Sequence, residues 1–251
     1  MINAILENER LDEVNDRLRL IQKTDGLTFG TDALLLAAFI GKNGHSALEL
    51  GGGSGIISML LCARERFERI VCAELQPSYA DLIKRNVALN GLEDRLCALC
   101  ADVRNTEALG EGGSFDAVFS NPPYMTVKSG ALCETDAKSI ARHELNGTIG
   151  DFAASAAKML KYGGRFYTVY RCDRLIDLID ALRKNRLEPK RMTFVFARPS
   201  LAPSMVLTEA RLGGKTELRV TRPLILASES GENGADYNYL LENGILPKDF
   251  F

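Results

Sequence analysis

The sequence predicts an α/β fold: a mostly parallel sheet with helices on both faces and antiparallel strands at its C-terminal edge. Three observations carry this. Short β-rich runs alternate with helical runs between residues 46 and 170. A helix between two strands is the crossover that parallel neighbours need, and it covers the sheet on both faces. After residue 185 the alternation stops, and strands follow one another through short loops.

SALEL (46–50) reads as a buried strand, and residues 56–65 as the helix after it. Residues 69–75 form the next strand. Residues 77–90 form a helix with Pro77 in its first turn and Gly91 as its stop. Residues 95–103 and 115–120 are two more strands. Residues 151–164 read as a helix ended by the pair Gly163-Gly164, followed by a strand over 165–171 and a helix over 174–185. Residues 192–197, 204–212 and 218–226 are the last strands, expected to pair antiparallel. Residues 46–251 read as one domain, and residues 1–45 as an N-terminal extension with a short helix over 32–40.

With 46% hydrophobic and 25% charged residues in 251, the chain sits at the globular average, which excludes a disordered tail, a collagen and a coiled coil. The net charge of −2 argues against a protein built to coat nucleic acid or an anionic membrane. That sum hides a division. Residues 158–222 hold 15 Lys+Arg against 6 Asp+Glu, a net of +9, and the remainder carries −11.

Six cysteines are too sparse for a disulfide scaffold in a chain this long. Cys97 and Cys100 form a CxxC without a second pair or nearby histidine to complete a zinc site, so they are expected reduced, in or near the core. The acidic N-terminus lacks a signal-peptide core, and no apolar run reaches about 18 residues. A cytoplasmic location is expected, with no membrane, no metal and no obligate protein partner.

The stretch Glu49-Leu50-Gly51-Gly52-Gly53-Ser54-Gly55 leads from a strand into a helix. Glycines at 51, 53 and 55 let the backbone turn tightly and approach a ligand. The spacing E-x-G-x-G-x-G differs from the dinucleotide fingerprint, and no P-loop lysine follows. Glu49 would repel a pyrophosphate but can accept hydrogen bonds from an ammonium group. Glu74, at the end of the next strand, can hold both hydroxyls of a ribose. Asp102, at the end of the third, can accept from an adenine amino group. Leu75 and Val103, which follow those two acids, are counted with them. Each acid alone also reads as a polar residue capping a strand. Together with the glycine turn they point to S-adenosylmethionine, an adenosyl ligand carrying an ammonium and a sulfonium.

Asn121-Pro122-Pro123-Tyr124 follows the fourth strand, beyond a carboxyl end where ligands of open α/β sheets bind. An amino group conjugated to a ring, or an amide nitrogen, is a poor nucleophile because its lone pair is delocalised. If the Asn121 side-chain oxygen and the Pro122 carbonyl accept its N–H protons, charge can build on that nitrogen during attack on a sulfonium methyl. The prolines stiffen the turn in advance, and Tyr124 offers a face for stacking on a planar base. A rigid surface turn is the plainer reading of such a tetrapeptide.

With these residues in place the chain resembles the class I methyltransferases carrying an N-P-P-Y motif, and more closely the bacterial tRNA(Val) adenine-N6 methyltransferases. The likeness extends to Glu9-Arg10-Leu11-Asp12, Ile21-Gln22, the segment Phe29-Gly30-Thr31-Asp32-Ala33-Leu34-Leu35-Leu36, Ala141-Arg142-His143-Glu144, residues 202–210 and Gly213-Gly214-Lys215. It implies a Rossmann-like sheet of seven strands with an antiparallel hairpin edge, and a segment Gly30-Thr31-Asp32 that closes over the cofactor, so that residues 1–45 pack over that site. It also implies N6-methylation of an adenine in a valine tRNA, next to the anticodon. Gly52 departs from the pattern, which has threonine or a similar residue there.

For the RNA, Arg142 and His143 in the long stretch after the N-P-P-Y turn are candidate contacts, although an ion pair with Glu144 accounts for them equally. Arg183, Lys184 and Arg186 read either as a phosphate-tracking face or as a solvated helix end. Three other functions stay open. A release-factor-type glutamine N5-methyltransferase poses the same problem to the same motif, but such enzymes usually carry a helical N-terminal domain for which about 45 residues leave little room. The others are a guanine-N2 rRNA methyltransferase and a non-catalytic RNA-binding module that retains the fold.

Overall fold

The computed structural model describes residues 5–24, 29–41, 44–123 and 147–251. In chain order these form β1 (Glu9–Asn15), β2 (Leu18–Lys23), α1 (Thr31–Phe39), β3 (Ser46–Leu50), α2 (Ile56–Ala63), β4 (Arg69–Glu74), α3 (Pro77–Leu89), β5 (Leu96–Cys100) and β6 (Phe115–Ser120). After these come α4 (Ile149–Met159), β7 (Leu160–Arg171), α5 (Leu175–Lys184), β8 (Leu187–Phe196), β9 (Met205–Leu212), β10 (Arg219–Val220), β11 (Leu224–Ile225) and α6 (Ala235–Asn243).

Seven strands make the body of the sheet in the order β5-β4-β3-β6-β7-β9-β8, with β10 and β11 both on the outer side of β8. The five strands from β5 to β7 run parallel, and β9 is antiparallel to both β7 and β8. The chain winds outward from β3 through β4 to β5, then returns to β6 on the other side of β3. That reversal opens a crevice beyond the carboxyl ends of β3 and β6.

Alternation along the strands feeds a core on each face. Ala47, Cys72, Phe119 and Tyr167 pack with α1 and α2 on one side, and Leu48, Leu50, Val118 and Phe166 pack with α4 and α5 on the other. α2 is buried along nearly its whole length, as its run of apolar residues requires. α3 has Pro77 at its start and turns only one side inward, through Tyr79, Leu82, Ile83, Asn86 and Val87.

The structure corrects several expectations. Residues 9–23, within the expected N-terminal extension, form a β-hairpin in addition to its short helix. The glycine pair does not end a helix: α4 stops at Met159, and Gly163 and Gly164 lie within β7, where the register with β6 slips between Leu160 and Arg165. Residues 218–226 are not one antiparallel strand. Pro223 separates β10 from β11, and both run parallel to β8. A C-terminal helix, α6, was also unforeseen. Cys97 and Cys100 are free but exposed, because β5 is the edge strand. Among the described residues no helix is long and apolar enough to cross a membrane.

Candidate active site

β3 ends in a turn that glycine makes possible. Gly51, Gly53 and Gly55 have φ of 75°, 56° and 80°, the left-handed region that side chains resist. The amides of Gly51 and Gly52 both donate to Ala73 O of β4, at 2.9 and 3.0 Å, which ties the turn to the neighbouring strand. Gly52 has a different reason to be glycine: a Cβ there would stand 2.2 Å from the Cys72 sulfur. Cys72 therefore occupies the space that a side chain at position 52 would need.

The three acids meet the turn in three ways. Glu74 is fixed from both ends, its Oε2 accepting from the Gly53 amide and its Oε1 from the Gln76 amide, each at 2.9 Å. It is a carboxylate held rigidly at the rim, with further lone pairs to offer a ligand diol. Asp102 lies just beyond β5 and accepts from the Arg104 amide and guanidinium; that guanidinium holds its carboxyl below the usual range. Glu49 is 1% exposed. Its Oε2 accepts from the Ser58 amide at 3.1 Å, from the Ser58 hydroxyl, and from the Cys72 thiol at 3.3 Å. Burial pushes its carboxyl up to about 7.

A cavity of about 390 Å³ lies over the turn. Its polar wall includes Asp32, Glu49, Glu74, Gln76, Asp102 and Asn121, and its apolar wall Phe29, Ile56, Ile57, Val103, Pro122 and Phe152. Gly30, Gly51, Gly53 and Leu75 complete the expected set on the wall. Thr31 opens α1 and Gly55 caps α2, both off that wall. Glu49 pairs with Phe119 across β3 and β6, so the strands carry Gly51 and Asn121 out side by side. Asn121 Nδ2 donates to Asp32 Oδ2 at 2.9 Å, linking the N-P-P-Y turn to α1.

Sequence reasoning missed Phe29, Ile56, Ile57, Gln76 and Phe152 as wall residues. Phe29 and Gln76 adjoin residues it did choose. Phe152 arrives from α4 and is placed by tertiary packing, with no local signal.

Tyr124, Arg142 and His143 lie outside the described residues. Arg183, Lys184 and Arg186 are exposed but stand away from the crevice. α5 follows β7 and runs back across the sheet, so its end meets the start of β8, at the edge opposite Asn121. Arg183 there pairs with Glu188 at 3.3 Å.

A glycine turn, a rim carboxylate on the next strand and an asparagine-proline turn across the switch point define a class I methyltransferase. The comparisons agree and are more specific. Residues 23–184 match the methyltransferase small domain, and the chain belongs to that family. It is 28% identical over 235 residues to a tRNA1(Val) (adenine(37)-N6)-methyltransferase of Porphyromonas gingivalis, covering 90% of this chain and 91% of that one. It is 29% identical to an enzyme of the same name from Phocaeicola vulgatus, over 82% of this chain and 83% of that one. A protein from Agrobacterium tumefaciens, described as a predicted O-methyltransferase, shares the fold with a TM-score of 0.69 at 24% identity, over 85% of this chain and 96% of that one. So does TYW2 of P. horikoshii, solved with MeSAdo, with a TM-score of 0.57 at 13% identity, over 83% and 73%.

The cavity fits S-adenosylmethionine: a fixed carboxylate for a ribose, apolar walls for an adenine, and, among the described residues, acids but no lysine or arginine on the wall to meet a cationic tail.

Proposed function

We propose that this chain transfers a methyl group from S-adenosylmethionine to the N6 of an adenine in tRNA, in a valine tRNA next to the anticodon. The observation that carries this reading is Asn121 at the switch point, on the wall of the same cavity as Glu74. The two relatives named for that reaction, which match over most of their length, support the substrate.

When bound, S-adenosylmethionine supplies a methyl group on a sulfonium sulfur, which departs as a neutral thioether. Glu74 would hold its ribose, Phe29, Val103 and Phe152 would enclose its base, and Asp102 would accept from the adenine amino group. Asn121 Oδ1 and the Pro122 carbonyl would accept the two N–H protons of the target amine, keeping its lone pair aimed along the line of attack. The methylated nitrogen gives up one proton to water, so no general base is required. Residues 1–45 belong to this reading as a segment over the cofactor site, supported by Phe29, Gly30 and Asp32 on the cavity wall.

The test is incubation with methyl-labelled cofactor and total tRNA, ribosomes or release factors, followed by nucleoside and peptide mass analysis. The expected product is N6-methyladenosine in tRNA. Label confined to protein, or guanine-N2 methylation of rRNA, would overturn the reading. Asn121→Ala is expected to lower transfer by at least about a hundredfold with cofactor affinity within about threefold. Undiminished transfer would remove Asn121 from the reaction.

A further inference from the structure

We infer that Asp32 is a positioning residue for Asn121, setting which end of its side-chain amide faces the target amine. The inference rests on the proposed function and adds to it a group from another part of the chain.

An asparagine amide has two ends of nearly equal size and opposite chemistry, one a donor and one an acceptor. Only the oxygen end can accept from an amine. A half-turn of the amide would present N–H groups instead and block the reaction. The prolines after Asn121 stiffen the backbone, but they do not select an amide orientation. A carboxylate does, because it accepts only. Asp32 Oδ2 lies 2.9 Å from Asn121 Nδ2, so the oxygen end points away from Asp32.

Asp32 is well held for the task. It is the second residue of α1, where the helix dipole favours a negative charge. Its other oxygen accepts from the Ala33 amide at 2.9 Å. α1 itself is anchored by Leu35, Leu36 and Phe39, each fully buried. Gly30 leaves the carboxylate its room, since a Cβ there would stand 2.8 Å from Asp32 Oδ1. An aspartate at this place therefore does more than line the cavity.

The experiment exchanges the two side chains. Asn121→Asp alone sets two carboxylates against each other, a pair that must keep a proton to stay together. Transfer by that variant is expected to fall steeply with rising pH. Adding Asp32→Asn restores a donor facing an acceptor, and transfer at about pH 8.5 is expected to recover at least about tenfold over Asn121→Asp. Asp32→Ala is expected to lower kcat by about tenfold or more, with cofactor affinity changed less than about threefold.

Thermal unfolding gives a readout that needs no activity. Asn121→Asp should lose stability as pH rises, and Asp32→Asn should relieve that loss. An exchange that rescues neither transfer nor stability overturns the inference while the wild type still methylates tRNA. So does an Asp32→Ala variant whose activity falls only in proportion to its cofactor affinity, which would make Asp32 a cofactor contact. A wild-type chain that methylates no tRNA overturns the proposed function, and the catalytic half of this inference with it.

Discussion

Glu49 is a carboxyl group in the core, on the sheet face it shares with Ala47, beneath α2. Sequence reasoning placed it at the ligand's ammonium, and it does reach the cavity wall. Alternation along β3 also gives it partners no motif announces, Ser58 and Cys72. Desolvation outweighs those hydrogen bonds, so the folded carboxyl titrates near 7 against an ordinary 4.5. The sign follows from linkage: a carboxyl raised on folding favours the folded state when protonated. Its contribution is complete below about pH 4.5 and is lost as pH rises to about 7, by on the order of 3 kcal/mol. Glu49→Gln keeps the shape without the charge. Relative to that variant, the ligand-free wild type should lose stability between about pH 4.5 and 7 and change little above. Thermal unfolding across that range checks it, and a pH-independent difference would mean that Glu49 does not titrate there.

The hairpin β1–β2 shows how one element can depend on single side chains of another. Asn86 on α3 and Asn90 at its C-cap, one turn on, complete the backbone hydrogen bonds of β2. Asn86 accepts from the Ile21 amide at 2.7 Å and donates to Ile21 O at 3.0 Å, while Asn90 makes the same pair with Arg19 at 2.9 and 2.7 Å. Asn86 also donates to Ser54 O in the glycine turn at 3.3 Å, so the hairpin, α3 and the cofactor loop share one buried amide. Asn86→Ala should cost about 1–3 kcal/mol and should loosen residues 18–23 and the turn together. Hydrogen exchange at Ile21 and Gly55 reads both, and loosening of only one would break the link. The same contacts explain why the hairpin was illegible. Leu11 is exposed, the alternation in residues 9–15 is weak, and the Asn86 side chain that bonds the Ile21 backbone lies 65 residues away. The central parallel strands β3 and β6 were legible because burial on both faces makes them nearly continuous apolar runs. Residues 218–226 have a similar composition, but Pro223 lacks the N–H a continuous strand needs. The site followed the same division: Glu74, Asn121 and the glycines announced themselves by spacing, while Phe152 and the Asp32–Asn121 bond exist only in the folded chain.

Across the whole molecule, several basic residues of the +9 segment 158–222 are engaged by the protein itself. Lys161 pairs with Asp116, Arg165 and Arg191 with Glu209, and Arg222 with Asp236 and Asp249. Three of these basic residues fasten residues 246–251. The Arg191 guanidinium lies 3.9 Å from the Phe39 ring centre and 4.9 Å from that of Phe251, and donates to Phe39 O and Phe250 O at 3.0 and 2.7 Å. Arg219 donates to Phe251 O and Asp249 O, and Arg222 stacks on the Phe250 ring at 4.2 Å. The C-terminal segment thus supplies partners to a guanidinium that is itself buried, and one end of that network touches the last residue of α1. Removing residues 246–251 would expose the pocket of Leu246 and Phe250, at about 1.5–3 kcal/mol each. It would also strip acceptors from a buried charge, a larger penalty than losing both partners together. The truncated chain should melt on the order of 10 °C lower. Arg191→Met in the truncated chain should recover part of that loss, because a buried charge that has lost one of its acceptors is gone while the volume is nearly kept. If the second substitution lowers the melting temperature further, the segment acts through its apolar side chains alone, and Arg191 is not the group it serves.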